Sequence, residues 1–401
     1  LIRRKEIKML GKLISKICPF FMVPENSPVN EEKYLGNRVN ASDIYEAGHS
    51  KAFYPIIKFN EGKGKVDKLC LIDFKGDEIY SSFELQEIRR KNSIYYVILA
   101  YREDKGSDVY YVKGLDLCVD DYKSLLNKVT LLELDYINVK FDVTEKGIDV
   151  YCSFKDKQNR NIEFEVKENK DKEDSFGLIA PVGNDSKNPD KFPVIYLKKF
   201  NMVRQKGTEI FVKVDGKKLE IIKLMPLCNF KKVYLARYCY FSNIKDLNTD
   251  FTGELEPIMI NGTEREIEVG NSIYSINMND GHIEIKCVRV INDNSEMKIT
   301  FSPAIPDIDL LKNNVEVDGR FSLSVDEIKG IMGGVYSVKK SDSLVNIRMN
   351  PQKGWQPMPG KLWMKTYLWN CNIDISNEAH KIKTKWIRNG MNLKYNKLKG
   401  K

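Results

Sequence analysis

Three groups of side chains in this 401-residue chain have the types and spacing to do chemistry. The first is Gly48-His49-Ser50-Lys51-Ala52, a serine set among small residues in the manner of a nucleophile elbow, with alanine in the last place. Ser50, a later aspartate and His380 would then follow the chain order of a hydrolase triad. An elbow needs a buried strand before its serine and a helix after it. Asp43–Ala47 does not read as a buried strand and Phe53–Phe59 reads as extended, so serine-hydrolase chemistry is not expected.

The second group consists of two carboxylate pairs, Asp307 with Asp309 and Glu254 with Glu256. Residues two apart share a face of an extended segment, and burying one of them would raise its pKa and separate the roles of acid and base. The usual condition of such pairs in a β protein is solvation. The third group is aromatic. All four tryptophans, Trp355, Trp363, Trp369 and Trp386, fall within 32 residues, among Met358, Met364 and Tyr367. Over Leu362–Asn370 strand parity places Leu362, Met364, Thr366 and Leu368 on one face, with Trp363, Lys365, Tyr367 and Trp369 on the other. Such a row can line a cavity for a hydrophobic small molecule, or stack on sugars or bases. It can equally pack a domain interface, because tryptophan is large and mostly buried. Trp355, Trp363, Tyr367 and Trp369 are therefore the candidate ligand-binding residues. His49 and Tyr54, beside an alternating run, are candidate polar contacts, with satisfied core or rim positions as the alternative.

Other chemistries lack their motifs. No glycine-rich phosphate loop is present, and no GxGxxG follows a strand. His49, His282 and His380 are far apart and have no ligand partner at helical or hairpin spacing, so neither a metal nor a cofactor is expected. The eight cysteines show no CxxC pair. Parity instead puts Cys152 with Ile148, Val150 and Phe154, Cys287 with Ile283 and Ile285, and Cys70 with Ile72 and Phe74. Cysteines placed like this act as small core hydrophobes in a reducing compartment, which points to the cytoplasm.

Alternation of period two dominates the elements that must position these groups. Ile137, Val139, Phe141 and Val143 alternate with polar residues, as do Ile162, Phe164 and Val166. Asp215-Gly216, Asp280-Gly281 and Asp318-Gly319 read as hairpin turns. Helical signals are few. Leu125, Leu126, Val129 and Leu132 predict a helix over 121–134, and Ser324-Val-Asp-Glu327 predicts a short capped helix ended by Gly333-Gly334.

The formal charge is +9, but it is concentrated at the ends. Residues 1–20 hold six Lys/Arg against Glu6, residues 381–401 hold eight with no acid, and the body between them is net negative. A folded nucleic-acid binder carries its basic patch on the body, so nucleic acid is not an expected partner. Residues 1–23 read as a basic amphipathic segment, and a weak membrane-surface contact through the basic termini is the expectation such segments raise.

The fold class these observations predict is mainly β, with antiparallel sheets in two barrel-like or sandwich units and a few short helices. Residues 24–170 form the first expected domain, 171–191 a linker or long loop, 192–385 the second domain and 386–401 a basic tail. Tandem lipocalin-like barrels, as in carotenoid-hydratase-like proteins, have about this length and strand content. That resemblance is at the level of fold and brings no residue roles with it. The leading expectation is a β-barrel cavity binding a hydrophobic small molecule, with isomerisation, hydration or cyclisation as the chemistry it could support. A non-enzymatic structural or interaction module is the competing class, and carbohydrate binding the third.

Overall fold

A computed structural model describes residues 23–24, 39–61 and 65–389, apart from 92, 118–121, 124, 145–146, 170–174, 183–185, 225–231, 261–263, 293–294, 326–330 and 354–365. The protein is mainly β, in open sheets whose described strands pair antiparallel apart from one edge pair in unit 1. The chain divides into two compact units, each assembled from three stretches. Unit 1 comprises Leu1–Ser27, Lys63–Leu178 and Ile195–Ile244; unit 2 comprises Pro28–Gly62, Ile179–Val194 and Lys245–Lys401. Among the described residues no helix is long and apolar enough to cross a membrane.

Unit 1 is a sandwich. One sheet runs through Val233–Cys239, Lys68–Lys75, Tyr80–Arg90, Ser93–Arg102, Ser107–Val112 and Val129–Leu134. The other runs through Asn138–Thr144, Gly147–Lys155, Asn161–Glu168 and Thr208–Val214. Alternation puts one row of each sheet into a shared core of Cys70, Ile72, Phe74 and Phe83 against Ile148, Val150, Cys152 and Phe164. The expected parity of Cys70 and Cys152 holds, and burial pushes both thiols up.

Unit 2 is built on a ten-stranded antiparallel sheet. After Glu266–Val269, Ser272–Asn279 and His282–Asn292 it continues through Ser295–Ile305, Glu316–Val325, Ile331–Ser341, Leu344–Lys353, Thr366–Asp374 and Lys381–Asn389 to a short strand, Thr252–Glu254. Register shifts at Ser275/Ile276, Ile285/Cys287 and Gly333/Gly334 mark its bulges. The second of these changes the expected face of Cys287. Ile283 and Ile285 are buried, but beyond the bulge Val288 and Val290 take the core row and Cys287 is left half-buried.

Several local expectations are corrected. Val129–Leu134 is a strand, paired in parallel with Ser107–Val112, because that edge supplies backbone partners for a segment opening on β-favouring Val129-Thr130. Ser324-Val325 ends a strand and Gly333-Gly334 lies within the next; residues 326–330 lie outside the described residues. Asp318-Gly319 sits inside a strand rather than at a turn. A Cβ on Gly319 would come within 2.4 Å of the Tyr336 ring, so this glycine makes room for a cross-strand aromatic. Asp215-Gly216 and Asp280-Gly281 are turns of the expected kind, with φ of 48° and 76° and of 52° and 84°. The N-terminal basic segment up to residue 22 lies outside the described residues. So do Cys18, Cys118 and Cys228.

Candidate functional site

All three histidines of the chain gather in unit 2 around one loop, the segment containing Asp307 and Asp309. Residues 39–54 are strapped across it. A helical turn, Ala41–Ile44, buries Ala41 and Ile44. The chain then bonds to the loop, Glu46 N–H donating to Leu310 O (2.9 Å) and Lys312 N–H to Ile44 O (2.8 Å). Ser50 N–H donates to Gly281 O (3.0 Å), in the turn between Ser272–Asn279 and His282–Asn292. Exposed His49 lies over that turn so closely that a Cβ on Gly281 would meet its Nδ1 at 1.8 Å.

The buried half of the cluster centres on Asp307. Ser50 Oγ donates to its Oδ2 while accepting from Ile283 N–H (2.9 Å). Asp307 N–H donates to Tyr45 Oη (3.2 Å), and Tyr45 in turn donates to Glu284 Oε1 (2.9 Å). Asn277 and Asn279 complete the Glu284 carboxylate at 2.7 and 2.8 Å. His282 stacks on Tyr45 with ring centroids 4.0 Å apart, and its Nδ1 stands 4.0 Å from Asp307 Oδ2. Burial pushes the Asp307 carboxyl above the ordinary carboxylate range, against the pull of the Ser50 bond. Burial, then the nearby Glu284 charge, pushes the Tyr45 phenol up.

The outer half centres on Asp309, whose side chain is 36% exposed. Tyr54 Oη donates to its Oδ2 (3.1 Å), and His380 Nε2 meets its Oδ1. His380 Nδ1 lies 3.0 Å from Asn377 O, and Tyr54 stacks on His380 at 4.8 Å. Lys340 Nζ donates to Asp309 O (2.8 Å). The two halves are joined where Asp309 N–H donates to Asp307 Oδ1 (3.0 Å). Burial, then the Asp309 charge, raises the Tyr54 phenol.

This order of groups decides what Ser50 can do. A serine nucleophile needs an imidazole against its hydroxyl and a carboxylate behind the imidazole. Here the carboxylate sits between serine and histidine, so Ser50 is a strap that donates its proton to Asp307. Asp307 and Asp309 do have the unequal burial that an acid–base pair requires, whereas Glu254 and Glu256 are both exposed. Among the described residues no group of three or more His, Cys, Asp or Glu could hold a metal ion.

Of the residues singled out from sequence, His49 and Tyr54 belong to this cluster. Tyr367 and Trp369 belong to the packed interior of the sheet. Tyr367 Oη donates to Val182 O (2.8 Å), and its ring meets Phe192 at 4.6 Å and the Arg388 guanidinium at 4.7 Å. Trp369 is fully buried against Trp386 at 6.3 Å, and Trp386 stacks on Phe192 at 4.8 Å. Trp355 and Trp363 lie outside the described residues. Sequence reasoning missed Tyr45, His282 and Glu284 as members of this site, and brought His380 to Ser50 only through the chain order of a triad that the geometry rules out. Their partners are distant in the chain, Tyr45 from Glu284 by 239 residues and His380 from Asp309 by 71. No local spacing signals such pairings. No protein-family model, curated protein or solved structure matches this chain.

Proposed function

We propose that the chain is a non-enzymatic interaction module, in which the histidine–aspartate–tyrosine cluster of unit 2 acts as a clamp holding residues 39–54 onto the sheet. The observation that carries this reading is the use already made of Ser50 Oγ, which donates to Asp307 and accepts from Ile283 N–H. Tyr45, Tyr54 and His380 likewise spend their polar atoms on groups of the same unit. A site that consumes its own donors stabilises a fold, since each such hydrogen bond contributes about 1 kcal/mol net.

Binding of a hydrophobic small molecule draws less support. The ring faces of Tyr367 and Trp369 that would meet a guest are taken up by Phe192, Arg388 and Trp386. Two treatments of the full chain test the proposal. A serine-directed fluorophosphonate is expected to leave Ser50 unlabelled, and an apolar fluorescent probe is expected to show no saturable binding. Stoichiometric labelling at Ser50, or one-to-one probe binding abolished by Trp369→Ala, would overturn it.

A further inference from the structure

The Lys381–Asn389 strand begins the lysine-rich C-terminal stretch, and the sheet turns part of that charge into a surface. Ile382, Thr384 and Trp386 point inward and are buried, so Lys381, Lys383 and Lys385 form an exposed row on the opposite face. Register carries the row across the sheet. Lys383 lies opposite Asn372, Asn372 opposite Asn346, and Asn346 opposite exposed Lys339. One step along, Lys385 lies opposite Asn370, Asn370 opposite exposed Arg348, and Arg348 opposite Ser337.

The four strands Ile331–Ser341, Leu344–Lys353, Thr366–Asp374 and Lys381–Asn389 contain eight Lys/Arg and a single acidic residue, Asp374. Lys381 stands at the margin between two acids, Asp374 on one side and exposed Glu254 on the other. The positive strip ends at the next strand, where Glu316 comes within 3.9 Å of Lys339 and Asp318 follows. Lys340 is turned inward onto Asp309 O and Arg388 onto Tyr367, which leaves Lys339, Arg348, Lys381, Lys383 and Lys385 as the exposed cations described on this face.

We infer that this face docks the protein on an anionic lipid bilayer. The inference rests on the interaction-module reading above and names the partner. The alternative polyanion, nucleic acid, fits the surface poorly. Four strands spaced about 4.8 Å apart make a ledge of about 15 Å, broader than the roughly 12 Å major groove that admits a helix or two-stranded ribbon. Single strands are gripped by exposed aromatic platforms, whereas the positions between these cations are asparagine, serine and leucine. A broad basic ledge of short polar side chains suits a planar negative surface, to which each nearby lysine adds about 1 kcal/mol, or about fivefold in affinity.

Co-sedimentation of the full chain with phosphatidylcholine vesicles, with and without about one-third phosphatidylserine, tests this. Binding is expected only with phosphatidylserine and should fall steeply with salt. Lys383→Ala/Lys385→Ala should weaken it about thirtyfold without moving the thermal midpoint. Lys217→Ala/Lys218→Ala removes the same charge from exposed sites in unit 1 and should change it by less than about twofold. The inference is overturned if the chain ignores phosphatidylserine vesicles, if the Lys383/Lys385 variant binds like the parent, or if duplex or single-stranded nucleic acid is bound instead. Those failures leave the fluorophosphonate and probe results standing, so the two proposals fall separately.

Discussion

Asp108 in unit 1 and Asp307 in unit 2 are both buried carboxylates, and they are kept there by different means. Asp108, with no exposed surface, is ion-paired to Arg102 and to Lys157 (2.7 Å) and accepts from Tyr80 Oη (2.9 Å). Tyr80 and Tyr110 close the ring at 2.7 Å, and burial raises the Tyr110 phenol to about 12. Asp307 is held by neutral donors, the Ser50 hydroxyl and the backbone N–H groups of Asp309 and Leu310. Opposite charge therefore compensates the burial of Asp108, and dipoles that of Asp307. The difference teaches that removing the carboxylate of Asp307 takes no partner from an ion-paired cation, whereas removing that of Asp108 takes one from both Arg102 and Lys157.

The comparison is broken most directly by removing each carboxylate's partners. Asp108→Ala leaves Lys157 without this acid, Arg102 with Asp104 alone and the buried Tyr80 Oη without this acceptor, and unit 1 should lose about 3 kcal/mol in urea unfolding. A loss below about 1 kcal/mol would mean that those cations find water as readily as they found Asp108. Ser50→Ala strips one donor from Asp307 and orphans Ile283 N–H, so unit 2 should lose about 1–3 kcal/mol. Gly281→Ala forces a Cβ against His49 at a φ of 84°. It should cost about 1 kcal/mol, read as a lower thermal midpoint, with His49→Ala relieving part of it.

The sheets were legible because alternation and Asp-Gly turns are local signals. The alternation of Ile148, Val150, Cys152 and Phe154 leads straight to the unit 1 core. Where a tertiary edge competes with local propensity, the sequence is ambiguous: Leu125, Leu126, Val129 and Leu132 fit a helical stripe, yet Val129 onward completes the edge of Ser107–Val112. Bulges defeat parity counting, as at Cys287. Lys381–Trp386 alternates and continues as a strand to Asn389, so the basic tail expected over 386–401 begins inside a strand. In the candidate site, Asp307 and Asp309 were visible as a pair and His49 and Tyr54 as neighbours of an alternating run. Their convergence with His282 was not visible, and chain order alone brought His380 to Ser50, because a loop and two strand ends meet there only once the ten-stranded sheet has formed.

The finest distinction between the two ways of holding an acid is the sign of its pH dependence. Unit 1 offers Asp77 for this test. Burial raises its carboxyl, but the Arg160 bond and the backbone N–H groups of Tyr80 and Ile79 outweigh burial and hold it below its ordinary value. The native state then binds fewer protons at Asp77 than the unfolded chain does. Its contribution is present above the ordinary carboxylate pKa and is lost as pH falls through the lowered one. Asp307 has the opposite sign. Its native carboxyl titrates above the unfolded value, so its burial penalty is felt at neutral pH and is relieved as pH falls through the raised pKa. Asp77→Asn should therefore destabilise most at neutral pH, with the deficit vanishing in acid. Asp307→Asn should compare best with the parent at neutral pH and lose that advantage on acidification. Urea midpoints of both variants between neutral pH and the ordinary carboxylate range measure the two slopes, and slopes of equal sign would mean that dipoles hold Asp307 as firmly as a guanidinium holds Asp77.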